Sequence, residues 1–203
     1  MKKRIGLLGG SFNPVHIGHL RLALEVGEKM ELAEVHLVPA YIPPHKGRNV
    51  LPFEWRVEML EQSIQGLDGL KINLMEKERS ELSYTYVTLK SFLDQNPDVT
   101  LYFILGSMDF LAIPQWFKGK KLPYLANFVV VDRQGQGEDE IDEFVTSFWP
   151  AHKITSGEWS IEGGKRIYFF SLPRLDISSS LVRRKWLKQE KITFLVPEAV
   201  ERF

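Results

Sequence analysis

Arg4-Ile5-Gly6-Leu7-Leu8 runs directly into Gly9-Gly10-Ser11-Phe12-Asn13-Pro14-Val15-His16-Ile17-Gly18-His19. The first five residues read as a buried strand, and the stretch after them reads as a turn leading into a helix. Two glycines let the backbone turn sharply and approach a ligand closely. Asn13-Pro14 suits a helix start, because Asn caps and Pro tolerates the first helical position. A helix beginning there would aim its free amides and the positive end of its dipole at the strand's carboxyl edge, where a phosphate can sit. His16 and His19 are three apart and share a face of that first turn. Two imidazoles so placed can donate hydrogen bonds to triphosphate oxygens. The stretch is not G-x-G-x-x-G, and the chain has no G-x-x-x-x-G-K-[ST]. Dinucleotide oxidoreductase and P-loop readings are therefore weak.

Outward from this segment, strands and helices alternate. Val35–Val38 is a second strand, followed by the extended loop Pro39-Ala40-Tyr41-Ile42-Pro43-Pro44-His45-Lys46. Leu20–Met30, Phe53–Ile64 and Thr85–Leu93 carry helical periodicity, the last stopped by Asn96-Pro97. Leu70–Leu74, Leu101–Leu105 and Phe128–Val131 read as strands, and Gln134–Glu143 as an acidic, solvated loop entering a surface helix. Continuous apolar strands separated by helices predict an α/β fold: a Rossmann-like, doubly wound parallel sheet with helices on both faces. Residues 1–203 form one expected domain, with 174–203 as a small C-terminal helical part. Such sheets bind ligands beyond the carboxyl ends of their strands, at the switch in strand order. The loops after Leu8, Val38 and Leu105 are thus the candidate walls.

Composition narrows the function. Lys plus Arg and Asp plus Glu are 26 each, so no global basic field recommends nucleic acid or a membrane surface as partner. The chain has no cysteine, which excludes disulfides, thiolate zinc sites and cysteine nucleophiles. No apolar run approaches the roughly 20 residues that span a bilayer, and the apolar stretch near the N-terminus is broken at Gly9-Gly10. A cytoplasmic protein able to form a homo-oligomer is the expectation.

A second motif lies far downstream. Ile177-Ser178-Ser179-Ser180-Leu181-Val182-Arg183-Arg184 precedes an amphipathic helix that includes Trp186. A serine there can cap the helix and open another anion site, with Arg183 one turn on as a charged donor. A contact of that kind is worth about 1.5–3 kcal/mol.

Together these motifs resemble the nucleotidyltransferase superfamily that shares its His-x-Gly-His signature with class I aminoacyl-tRNA synthetases. Within it the chain is similar to the bacterial nicotinate-nucleotide adenylyltransferases. The resemblance covers nearly the whole length: Pro43-Pro44-His45-Lys46, Arg56 with Met59-Leu60, Tyr84-Thr85 with Thr88-Leu89, Gly106 followed by Trp116, Arg133 and Val196-Pro197-Glu198-Ala199-Val200 all fit. Asn13 stands where Asp is common and Ser180 where Thr is common. The acid usual two residues after the glycine is Met108 here, with Asp109 next to it.

The resemblance implies transfer of AMP from ATP to nicotinate mononucleotide, giving deamido-NAD and pyrophosphate. It implies His16, His19, Lys46 and Arg183 as the groups that neutralise charge, and Gly9, Gly10, Ser11, Phe12, Gly106, Ile177, Ser178 and Ser179 around ATP. Asn13, Tyr84, Thr85, Trp116 and Arg133 would hold the mononucleotide, with Trp116 on the pyridine ring and the Tyr84-Thr85 amides on its carboxylate. Asp109 has no assigned role. Mg²⁺ is expected, carried mainly by phosphates and water. The alternatives are a nicotinamide or dual-specificity adenylyltransferase and, from another class, a nucleotide-binding regulatory relative without turnover.

Overall fold

The computed structural model describes residues 2–44, 50–79, 82–132, 137–173 and 175–203. Among the described residues eight strands form one sheet: β1 (Lys3–Gly10), β2 (Glu34–Pro39), β3 (Leu70–Ile72), β4 (Val99–Gly106), β5 (Asn127–Asp132), β6 (Ala151–Thr155), β7 (Glu158–Ile161) and β8 (Arg166–Ser171). The helices are α1 (Ile17–Lys29), α2 (Phe53–Ile64), α3 (Thr85–Gln95), α4 (Ser107–Leu111), α5 (Gly137–Phe148), α6 (Ser179–Leu187) and α7 (Glu198–Arg202).

The strand order is β3-β2-β1-β4-β5-β8-β7-β6. β3, β2, β1, β4, β5 and β8 are parallel, while β8-β7 and β7-β6 are antiparallel. The chain winds outward from β1 through β2 to β3, then crosses back to place β4 on the other flank of β1. The switch in order therefore falls between β1 and β4, under the quoted segment. The parallel, doubly wound sheet expected from the apolar runs is what the fold shows.

Side chains alternate across the sheet with the period of two that a strand imposes. Leu101, Phe103 and Leu105 join Phe128 and Val130 in one core layer, which α3, α4 and α5 cover. Tyr102 and Ile104 join Val129 and Val131 in the other, beneath α1, α2 and the C-terminal segment. Val182, Ile192, Val196 and Val200 belong to this second layer, so α6 and α7 are anchored in the same core as β1 and β2.

Several details differ from the sequence expectation. α1 starts at Ile17, not at Asn13-Pro14, with His16 as its extended N-cap residue. β3 ends at Ile72, and the acidic stretch already lies inside α5, whose Ile141 and Val145 are buried. The antiparallel edge β6-β7-β8 was not anticipated. No helix among the described residues is long and apolar enough to cross a membrane.

Candidate active site

A cleft of about 710 Å³ opens at the carboxyl ends of β1, β2 and β4. Its walls come from the turn after β1 (Gly9, Gly10, Ser11, His16, His19), the start of α4 (Gly106 to Asp109) and the approach to α6 (Leu175 to Ser180). Glu76, Ser83, Thr85 and Trp116 line it as well. The volume lies within the range of roughly 300–1,000 Å³ typical of small-molecule sites.

The turn after β1 is held by strain and burial together. Phe12 takes a left-handed φ of 44° while its side chain is fully buried. That conformation costs about 1–3 kcal/mol, which burial of an aromatic ring offsets at about 1.5–3 kcal/mol. A Cβ on Gly10 would lie 3.2 Å from the Phe12 ring, so the glycine makes room for it. Phe12 was expected around ATP; its side chain instead stands behind the wall, edge-on to His19 with centroids 5.0 Å apart. Asn13 is also buried, and its Oδ1 accepts the Leu51 N–H at 3.0 Å, so its side chain ties a neighbouring loop to the turn.

His16 and His19 do share one face, as neighbours in a stack: ring centroids 3.6 Å apart, planes inclined 25°. The His16 N–H donates to His19 Nδ1 at 3.2 Å. Nδ1 of His19 is thus an acceptor, and in the neutral ring the hydrogen sits on Nε2. Not all the amides expected to serve an anion are available for it. Ile17 N–H donates to Leu195 O at 3.0 Å and His19 N–H to His16 O at 2.9 Å. His16 and His19 both line the cleft at this helix start.

The opposite wall begins with a conventional cap. Ser178 Oγ accepts the Leu181 N–H at 3.1 Å, as the sequence suggested. Ser179 Oγ donates to Pro14 O at 2.9 Å. Arg183 donates from Nη1 to Asn13 O at 2.6 Å and from Nη2 to Ser180 Oγ at 3.2 Å. The guanidinium expected to meet a phosphate here bridges the two motifs, and Arg183 is not among the lining residues.

At the remaining walls, Thr85 opens α3 and lines the cleft, while Tyr84 caps the helix and tilts its ring against Phe117, centroids 4.8 Å apart. Trp116 follows a 3₁₀ turn over Ile113–Gln115 and is half-buried. Its turn requires Gly119: a Cβ there would fall 2.0 Å from Ile113 O. Met108 and Asp109 both reach the wall, and Ser107 Oγ donates to Asp132 Oδ1 at 3.1 Å. Lys46 and Arg133 lie outside the described residues.

Sequence reasoning passed over two groups. Arg56, although part of the quoted resemblance, was given no role. Its guanidinium is buried, donating from Nη1 to Ser11 O (2.7 Å) and Ala40 O (2.9 Å) and from Nε to Leu51 O (3.0 Å). It locks the loops after β1 and β2 together, and desolvation lowers its pKa from the ordinary arginine value. Glu76 is a buried carboxylate on the cleft wall. An isolated Glu in Asn73-Leu74-Met75-Glu76 carries no signal in one sequence, and Arg56 could be noted only as an arginine on a helix.

The pattern of the cytidylyltransferase-like family matches residues 7–185. A protein of Desulfatibacillum aliphaticivorans named probable nicotinate-nucleotide adenylyltransferase is 36% identical, with 98% of this chain and 96% of that one covered. One of the same name from Streptococcus pneumoniae is 36% identical over 98% of this chain and 85% of its own. Among solved structures, Plasmodium falciparum nicotinic acid mononucleotide adenylyltransferase complexed with NaAD superposes with a TM-score of 0.76 at 25% identity, covering 98% of this chain and 93% of that one.

Proposed function

This chain belongs to the cytidylyltransferase-like family, and within it to the nicotinate-nucleotide adenylyltransferases; from that premise we propose that it joins ATP and nicotinate mononucleotide into deamido-NAD with release of pyrophosphate. One observation carries the proposal: the His16–His19 turn and the Ser178-capped start of α6 line a single cleft at the sheet's switch point.

The mononucleotide's phosphate is itself the nucleophile. One of its oxygens bonds to the α-phosphorus of ATP as the bond from that phosphorus to the bridging oxygen breaks, and pyrophosphate leaves. The chain has to align the two phosphates and neutralise the charge that spreads over them. His16 and His19 do this from one wall, with the Nε2 hydrogen of His19 as the donor. The hydroxyls and amides around Ser178–Ser180 do it from the other, with Arg183 holding the walls at their spacing and Lys46 as a further cation for the phosphates. Gly9, Gly10, Ser11 and Gly106 give ATP close backbone approach. Thr85 and Trp116 take the pyridine end, and Arg133 the mononucleotide.

Mg²⁺ accompanies ATP as counter-ion for its phosphates. Among the described residues no group of three His, Asp or Glu side chains could hold a metal; the ion would be carried by the phosphates, with the wall carboxylates Asp109 and Asp176 as the residues that would receive its water ligands. The chain acts as one domain, in the cytoplasm. Pyrophosphate release from ATP, assayed in parallel with nicotinate and nicotinamide mononucleotides, tests the proposal. Release with the acid and far less with the amide is expected. No release with either would overturn adenylyl transfer, and equal release would overturn the acid preference alone.

A further inference from the structure

We infer that Arg79, one layer behind the cleft, determines the preference for an acidic over an amide pyridine by neutralising Glu76; the inference rests on the reading that the ring lies beside Thr85. Glu76 is 6% exposed and shares the cleft wall with Ser83, Thr85 and Trp116. It also borders, with Thr85 and Thr88, a small adjoining chamber of about 30 Å³, room for one water. A carboxylate at that place has a structural use. Its Oε2 accepts the Tyr41 N–H at 3.3 Å and its Oε1 accepts the Thr88 hydroxyl at 2.5 Å, joining the loop after β2 to the first turn of α3.

The same carboxylate is an electrostatic liability. A ring that brings its own carboxylate to the start of α3 meets a like charge on the wall, and like charges in a partly desolvated site repel strongly. Arg79 removes the conflict. Its Nη2 donates to Thr88 Oγ1 at 2.9 Å and lies 3.7 Å from Glu76 Oε1. Guanidinium, hydroxyl and carboxylate form one short relay, with Arg79 carrying the charge that balances Glu76. The pyridinium nitrogen is common to both substrates and the amide group carries no charge of its own, so only the acid's carboxylate depends on this balance. Arg79 therefore acts through Glu76 as a specificity-determining residue without touching the substrate.

The test compares kcat/KM for nicotinate and nicotinamide mononucleotides in the parent chain, Arg79→Met, Glu76→Gln and the double variant, with a thermal melt of each. Arg79→Met uncovers the Glu76 charge and is expected to lower the acid-to-amide ratio about tenfold or more, chiefly through KM for the acid. The double variant has neither charge and is expected to return the ratio to within about twofold of the parent, whatever its absolute rate. Equal losses on both substrates in Arg79→Met, or a ratio that stays low in the double variant, would overturn the inference. If Arg79→Met does not fold, Glu76→Gln alone decides: a raised or maintained ratio supports it, a lowered ratio overturns it. A parent chain with no acid preference counts against the underlying reading of the site, and even then an unchanged ratio in Arg79→Met refutes the charge argument separately.

Discussion

The two walls of the cleft are built in opposite ways. The wall after β1 is an extension of the sheet: Phe12 and Asn13 are buried, His16 is 3% exposed, and Arg56 fastens its carbonyls from beneath. The wall at α6 is an attachment: Val182 packs into the core, but its serines and arginine are half-buried or exposed, and Ser179 to Pro14 O and Arg183 to Asn13 O are side-chain bonds that tie it to the first. A reaction that only aligns and neutralises phosphates can use this division. On the proposed function, the first wall would be a fixed reference for the α-phosphate, with the second set against it at modest cost. Substitutions in the first wall should therefore damage chemistry or the fold itself, and those in the second should damage mainly ATP binding.

The strongest test of that contrast is His19→Ala. It removes an Nε2 donor from the rigid wall, and loss of one such preorganised donor lowers turnover by about 10²–10³-fold. The melting temperature should move little, and normal turnover would break the assignment. Next is Arg56→Met, which strands the carbonyls of Ser11, Ala40 and Leu51. Chemical denaturation should show a loss of about 3 kcal/mol or more, since each buried group left unpaired costs about 1–3 kcal/mol. Arg56→Lys should recover part of it. A stable Arg56→Met would mean that the first wall does not depend on its clamp.

Arg183→Met breaks the bonds to Asn13 O and Ser180 Oγ that hold the second wall in place and should raise KM for ATP about tenfold, with a much smaller change in melting temperature than Arg56→Met. Equal destabilisation by the two variants would erase the distinction between the walls. The smallest effect concerns acid. Glu34, at the end of β2 away from the cleft, has its pKa lowered from 4.5 to about 2, first by the hydrogen bond from Lys3, then by those from Lys71 and His36. A depressed carboxylate pKa stabilises the fold above the unfolded value and loses that contribution as the group is protonated. The contribution is complete above pH 4.5 and fades as pH falls toward about 2. Thermal melts across that window should show a shallower acid slope for Glu34→Gln than for the parent.

The parallel part of the sheet was legible because its strands are buried on both faces: Ile104, Phe128 and Val130 have no polar alternation to confuse the pattern. The antiparallel edge was not, for the opposite reason. β6 leaves His152 to Thr155 exposed, and β7 alternates over only four residues, too short for periodicity to register. That both motifs line one cleft was legible from residue types and spacing, as was the Ser178 cap. The start of α1 was misjudged because the left-handed turn at Phe12 carries no Gly or Asn marker, and Asn13 suited a cap it does not form. Arg56 and Glu76 took on roles only in three dimensions. Their partners lie as far as 45 and 35 positions away, and one sequence contains nothing that pairs them.

The bonds that join the two walls span 165 and 170 residues of chain, and the α1 amide of Ile17 is satisfied by Leu195 O. All eight strands, by contrast, are complete by Ser171. During synthesis on a ribosome the sheet's entire sequence is thus translated before the residues that close the cleft. A nascent chain can acquire its scaffold while still unable to grip a triphosphate. On the proposed function, ATP binding then needs residues 175–183 as well as the sheet, and a chain truncated after Ser171 would carry every described strand yet lack one wall of the cleft.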